Sequence, residues 1–172
     1  KKISVLKTPN KVLGLFEIPN ENSVATQGLT VALDAINDPG NLGTIIRLCD
    51  WFGVQQIVCS QTTVDCYNQK VIQATMGSIT RVRINYVDLE AFLKHSSRPI
   101  YAADMEGSNV YETTLPKEAI LVMGNEANGI SEEITNIVQH KITIPRFGSV
   151  QKTESLNVAT ATAILLSEFK RF

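Results

Sequence analysis

The sequence predicts an α/β fold, a mainly parallel sheet with helices on both faces, and three observations predict it. From Gly28 onward, short runs rich in β-branched and aliphatic residues alternate with amphipathic stretches, the rhythm of strand-helix units rather than of hairpins. Each run is of strand length and is bounded by polar or turn residues. The 172 residues, 44% of them hydrophobic, also supply enough apolar material for one domain core.

Taken in order, the runs Leu29 to Ile36, Gln56 to Cys59, Val82 to Val87, Ile100 to Ala103, Ala119 to Met123 and Lys141 to Ile144 read as strands. Between the first two, Leu42 to Phe52 sets Leu42, Ile45, Ile46, Cys49 and Phe52 near one helical face and turns Arg47 and Asp50 elsewhere. Tyr67 to Met76 and Leu89 to His95 follow as helices. Ser131 to Val138 is a further one, opened by Ser131 as N-cap with Glu132 and Glu133 at its positive end. Leu156 to Phe169 closes the domain. Residues 1–27 break the rhythm: Pro9, Pro19 and the polar run Asn20 to Ser23 surround two short apolar patches. They read as an N-terminal extension to a domain spanning 28–172.

Composition narrows the function classes. No stretch reaches the roughly 18 apolar residues of a membrane span and no signal-peptide hydrophobic region follows Lys1 and Lys2, so a soluble, cytoplasmic protein is expected. Cys49, Cys59 and Cys66 form an odd set without CxxC spacing and read as reduced thiols. His95 and His140 lack the i, i+4 spacing of helical metal ligands, and no metal is expected. The formal net charge of -1 gives no global sign of a nucleic-acid binder. Any basic surface must come from folding, with Arg81, Arg83, Arg98, Arg146, Lys152, Lys170 and Arg171 as the available residues.

Three segments stand out. Asp34 to Arg47 runs from a strand through a polar turn into a helix, where open α/β sheets bind ligands. Turn chemistry is the plain account, with Pro39 and Gly40 bending the chain and Asn41 capping the helix. Val122 to Ser131 again ends a strand, and its glycines Gly124 and Gly129 flank Glu126. Glycine allows positive φ and close approach of a ligand to the backbone, while a P-loop is excluded by the missing Lys-Ser/Thr pair. The third segment is Ile142 to Pro145, a polar loop, then Ser155 to Ala163. There Ser155 suits an N-cap and Asn157 has no evident structural duty.

Together and in this order the three resemble the SpoU (TrmH) family of SPOUT RNA 2′-O-ribose methyltransferases. The likeness rests on Asn41, Gly43 and Arg47 with Asp50, Phe52 and Gly53 after them, on the GxExxG pattern at Gly124 to Gly129, and on the IP…SLNV pattern before the last helix. It runs from about Leu29 to Phe169. The resemblance implies a C-terminal deep trefoil knot, which connection rules disfavour, together with a homodimer and an RNA substrate, ribosomal or transfer. It also implies S-adenosyl-L-methionine bound at Gly124, Ile144, Ser155 and Leu156.

By the same resemblance Arg47, Asn41, Glu126 and Asn157 are the catalytic residues. Since a guanidinium keeps its proton, Arg47 is expected to orient the ribose and adjacent phosphate and to stabilise the alkoxide. Asn41 and Asn157 flank the acceptor, and Glu126 either holds one of these amides or accepts the proton. Two departures from the family pattern stand out. The loop from Arg146 to Glu154 is about three residues longer, with Lys152 and Glu154 inserted near the cofactor. Val5 to Pro19 resembles the tail of a truncated small RNA-binding domain. Two rivals remain at this point: a non-catalytic knotted RNA-binding or dimerisation module, and a base methyltransferase with Cys59 or Cys66 as nucleophile.

Overall fold

The computed structural model describes Val12 and residues 14–18, 24–148 and 155–171. Most of the N-terminal extension, including more than half of the Val5 to Pro19 likeness, lies outside the described residues, as do Lys152 and Glu154. The elements are β1 (Leu29–Leu33), α1 (Pro39–Trp51), β2 (Gln56–Ser60), α2 (Gln69–Thr75), β3 (Arg83–Val87), α3 (Leu89–Lys94), β4 (Ile100–Asn109), β5 (Ala119–Met123), α4 (Glu132–Thr135), β6 (His140–Thr143) and α5 (Val158–Phe169). Their strands form one six-stranded sheet in the order β3-β2-β1-β5-β4-β6, and every pairing is parallel.

Strands β1, β2 and β5 are buried along their whole length, which is why they read as unbroken apolar runs rather than alternating ones. The two-residue period decides which layer each side chain joins. Val31, Leu33, Ile57, Cys59, Leu121 and Met123 pack with Ile45, Val71 and Leu165 of α1, α2 and α5. Ala32, Val58, Ile120 and Val122 pack with Leu89, Leu93 and Ile134 of α3 and α4. Helices thus cover both faces. Gly43 allows the closest helix contact, since a Cβ there would meet Ala74 Cβ at 2.4 Å and the Val71 carbonyl at 2.8 Å.

Helix starts differ from expectation in an instructive way. Helix α1 begins at Pro39, capped by Asp38, whose side chain accepts from the Asn41 backbone N–H at 2.8 Å. Asn41 is therefore inside the first turn, and proline at the helix start needs no N–H there. Asn157, not Ser155, caps α5, accepting from the Ala159 and Thr160 N–H groups at 3.0 and 3.2 Å. Ser131 occupies the N-cap of a shortened α4, but its side chain makes no capping bond.

Strand β4 outruns its expected end because β6 pairs with it twice. Ile142 is registered with Ala103 and again with Ser108, leaving residues 104–107 as a bulge. Gly107 permits this, since a Cβ would stand 2.5 Å from the Ile142 nitrogen. At the opposite end of the sheet Arg98 is buried, and its guanidinium donates to the Gly28 carbonyl at 3.0 Å and Thr30 Oγ1 at 2.8 Å. It therefore leaves the set of basic surface residues. Gln56 and Arg98 both bond Ala25, docking residues just ahead of β1. Among the described residues no helix is long and apolar enough to cross a membrane.

Candidate active site

Strand order in the sheet reverses between β1 and β5: β2 and β3 lie on one side of that seam and β4 and β6 on the other. Crevices at the carboxyl ends of strands beside such a switch are where open α/β folds bind ligands. Here the seam is closed by polar bonds. The Asp34 N–H donates to the Met123 carbonyl at 2.9 Å, and the Asp34 carboxylate accepts from the Ser131 N–H at 2.8 Å. Ala35 has a positive φ of 55°, unusual for a residue with a Cβ. It is held from both sides: its N–H donates to Ser60 Oγ at 2.9 Å and its carbonyl accepts from Asn125 Nδ2 at 2.7 Å.

These contacts tie together the loops that carry Asn41 and Glu126, and the structure brings these two together with Asn157, so that three of the four expected catalytic residues meet. Asn41 Nδ2 donates to Glu126 Oε1 at 2.5 Å, and Asn157 Nδ2 donates to Asn41 Oδ1 at 2.9 Å. Asn41 is thereby oriented through both ends of its amide. One N–H of Asn41 and one of Asn157 stay free, as does Glu126 Oε2, among the described residues. A solvent-accessible acceptor and amide donors linked in one row suit a hydroxyl that must lose a proton. Arg47 is outside this chain. It lies six residues on from Asn41, about 9 Å along α1, is exposed, and forms no bond among the described residues.

Beside the amides opens a cavity of about 620 Å³, a volume suited to a nucleoside cofactor. Its wall includes all four expected cofactor residues, Gly124, Ile144, Ser155 and Leu156, along with Glu126. The wall is mostly apolar and includes the strand-end residues Met123, Gly124, Ile142 and Thr143. That lining fits S-adenosylmethionine: main-chain groups for adenine, aliphatic surface for its rings, and carboxylates for its polar and cationic groups. The role of Gly124 needs correction. Its φ is not positive, and what would meet a Cβ is not open space for a ligand but the Gly129 carbonyl carbon and Ile130 nitrogen, each at 2.4 Å. Gly129 is the positive-φ residue, at 69°, and the Asn125–Gly129 backbone pair closes the loop with two 2.8 Å bonds.

The other candidates settle elsewhere. Cys49, Cys59 and Cys66 are free and buried, and burial pushes all three thiols up. A buried thiol with a raised pKa is a poor nucleophile, which removes the support for Cys59 or Cys66. His95 Nδ1 faces the Ala91 carbonyl at 2.7 Å, and His140 stacks on Tyr101 with ring centroids 4.7 Å apart. Arg81 is tied to Asp50 at 2.7 Å. Two functional positions escaped sequence reasoning. Asp38 was signalled by its place before Pro39, a helix-start pattern. Asp104, on the cavity wall, stands in a bulge that no local pattern announces.

Residues 28–167 match the SpoU rRNA Methylase family. The chain belongs to that family. It is similar to the 23S rRNA (guanosine(2553)-2′-O)-methyltransferase of Bacillus subtilis, with 31% identity over 168 residues, 95% of this chain and 66% of that protein. Among solved structures, a TrmH-family protein from Porphyromonas gingivalis superposes with a TM-score of 0.82 at 41% identity, covering 89% of this chain and 63% of the other. An AdoMet-bound rRNA methyltransferase from Sinorhizobium meliloti gives 0.79 at 34%, covering 86% and 58%. This SpoU-family chain thus spans less than two thirds of the length of these relatives.

Proposed function

We propose that residues 28–172 form the catalytic domain of a cytoplasmic, S-adenosylmethionine-dependent methyltransferase that modifies a ribose 2′-hydroxyl in ribosomal or transfer RNA. The observation that carries this reading is the hydrogen-bonded row Glu126, Asn41, Asn157, whose Glu126 lines the cavity. When bound, the cofactor supplies an electrophilic methyl group on a sulfonium. What the chain must add is position and charge control. Gly124, Ile144, Ser155 and Leu156 line the cavity and hold the cofactor. The free N–H groups of Asn41 and Asn157 orient the acceptor oxygen, and Glu126, bonded to Asn41 through Oε1, keeps Oε2 as a proton acceptor. Arg47 binds the adjacent phosphate and favours the developing oxyanion.

The same reading includes the trefoil knot. Its support is the path of the chain: β6 lies outside β4, yet Asn157 is bonded to Asn41, which follows β1. A homodimer belongs to the reading through the family resemblance, and sedimentation measures it directly.

Mapping 2′-O-methyl positions in total RNA with and without the protein tests the reaction. One new methylated ribose is the expected result, and an unchanged map sinks the proposal. Arg47→Ala is expected to abolish methylation and leave cofactor binding intact.

A further inference from the structure

Two carboxylates stand among the described residues of the cavity wall, and they differ in what surrounds them. Glu126 is bonded by an amide and has no cationic partner among the described residues. Asp104 is compensated: Lys141 Nζ lies 2.7 Å from Oδ2, and the Glu106 N–H donates to Oδ1 at 3.0 Å. The fold goes to some length to put it there. Asp104 opens the bulge of residues 104–107, and that bulge exists because β6 pairs with β4 on both sides of it and Gly107 lies against the Ile142 backbone.

We infer that Asp104 recognises the ribose diol of the cofactor, using the Asp104–Lys141 pair as a neutral, doubly hydrogen-bonding station. This rests on the cofactor reading above and adds a residue to it. Register places the station. The last β4–β5 pair is Ala102 with Val122, so Asp104 and Gly124 each follow the end of that ladder by two residues, and both line the cavity. Asp104 lies on the side of β5 opposite β1 and Asn41. Glu126, at one end of the acceptor row, and Asp104 thus share one cavity wall from the ends of different strands, as the reactive and sugar portions of one nucleoside would require. Charge decides which portion goes where. A carboxylate already neutralised by lysine attracts a cation weakly but keeps lone pairs for hydroxyl donors. The uncompensated Glu126 is the better neighbour for a cationic centre. Lys141 and the Glu106 N–H also hold Asp104 charged, keeping its carboxyl below the usual range, so it acts as an acceptor throughout the neutral range.

Three nucleosides test this by calorimetric titration of the full chain: S-adenosylhomocysteine, 5′-methylthioadenosine, which lacks the amino acid, and the 2′,3′-dideoxy analogue of the latter. Asp104→Asn is expected to weaken the first two alike, by about 10-fold or more, and to bind the dideoxy compound as the unaltered chain does. A loss confined to S-adenosylhomocysteine overturns the assignment in favour of the ammonium, and an equal loss for the dideoxy compound overturns it in favour of a structural role. Lys141→Gln breaks the ion pair and keeps the carboxylate. It should bind methylthioadenosine far better than Asp104→Asn does, and an equal loss in both also overturns the assignment. If the unaltered chain binds none of the three, the cofactor reading fails and this inference with it. If it binds and Asp104→Asn loses nothing, only the inference fails.

Discussion

Asn157 donates its side-chain amide to Asn41 across 116 positions of sequence, at 2.9 Å, while its own carbonyl oxygen caps α5. One side chain therefore starts a helix and aligns a second amide in the site. The two duties separate by substitution. Asn157→Ser keeps an N-cap oxygen and loses the amide, so the melting temperature should hold while methylation collapses. Asn157→Ala loses both and should cost about 1 kcal/mol of stability as well. Thermal unfolding beside a methylation assay checks the split; equal activity in Asn157→Ser and the parent would remove the amide from the reaction.

Glu126 and Asn41 meet at 2.5 Å through an amide donor. Asn41→Asp replaces that donor with a second carboxylate, and two like charges at that distance repel. The backbone N–H bond to Asp38 remains, so α1 should persist and circular dichroism should not change. Methylation is expected to fall by about 100-fold or more. Glu126→Gln distinguishes the roles of the carboxylate: a proton acceptor is lost, whereas a partner to Asn41 is partly kept. Full activity with an unaltered pH profile in Glu126→Gln would leave Glu126 with orientation alone.

Much of this site was legible because its residues sit in the turns that follow strands, and those strands announce themselves as buried apolar runs. Leu29–Leu33 and Ala119–Met123 are buried at every position, and sequence and structure agree on both ends of β5 and on the start of β1; β1 stops at Leu33 rather than at the expected Ile36, because Ala35 takes a positive φ of 55° and turns the chain out of the sheet. Asn41, Glu126 and Asn157 were found by motif, but their mutual bonding depends on three loops meeting at the seam, which no local pattern encodes. The caps show a nearer miss. Asp38 before Pro39 was a readable helix start, and Asn41 drew attention away from it. Asp104 was not readable, because the pairing of Ile142 with both Ala103 and Ser108 is a tertiary event.

Asp50 links the end of α1 to the turn at Ser78–Thr80 and to Arg81. The Arg81 guanidinium first, and the Ser78 hydroxyl second, hold its carboxyl below the ordinary 3.8. A folded pKa below the unfolded one contributes stability that is complete above the unfolded value and is lost as pH falls through the folded one. Asp50→Asn should therefore melt below the parent at pH 7, with the gap closing as pH drops below 3.8. Because Arg81 is 58% exposed, the gap should be small and should shrink in high salt. A gap that widens in acid would contradict this account.

The three thiols give a probe of the core. Cys49 is fully buried, Cys59 is likewise inaccessible, and Cys66 is 3% exposed. Burial raises each pKa, so little thiolate forms at neutral pH. A hydrophilic disulfide reagent should label none of them in the native chain on the timescale that it labels all of them in denaturant. Rapid labelling of Cys59 in folded protein would reopen the nucleophile reading.

Gly124 joins the fold to the cavity. A methyl group there meets the Gly129 carbonyl carbon and the Ile130 nitrogen at 2.4 Å, and these are backbone atoms of a loop closed by the two Asn125–Gly129 bonds. The loop cannot yield as a flexible side chain would. Gly124→Ala should therefore cost about 1–3 kcal/mol, the usual penalty for overfilling a packed site. It should also displace Glu126 from Asn41 and distort the cavity wall, since Gly124 and Glu126 both line it. The expected signature is a lowered melting temperature together with weakened binding of S-adenosylhomocysteine. Gly129→Ala acts differently: nothing lies within 4 Å of its Cβ, and the strain comes from a φ of 69°. It should destabilise the chain while leaving more of the binding intact. If Gly124→Ala bound the nucleoside normally, the loop would not be the rigid wall inferred from its backbone contacts.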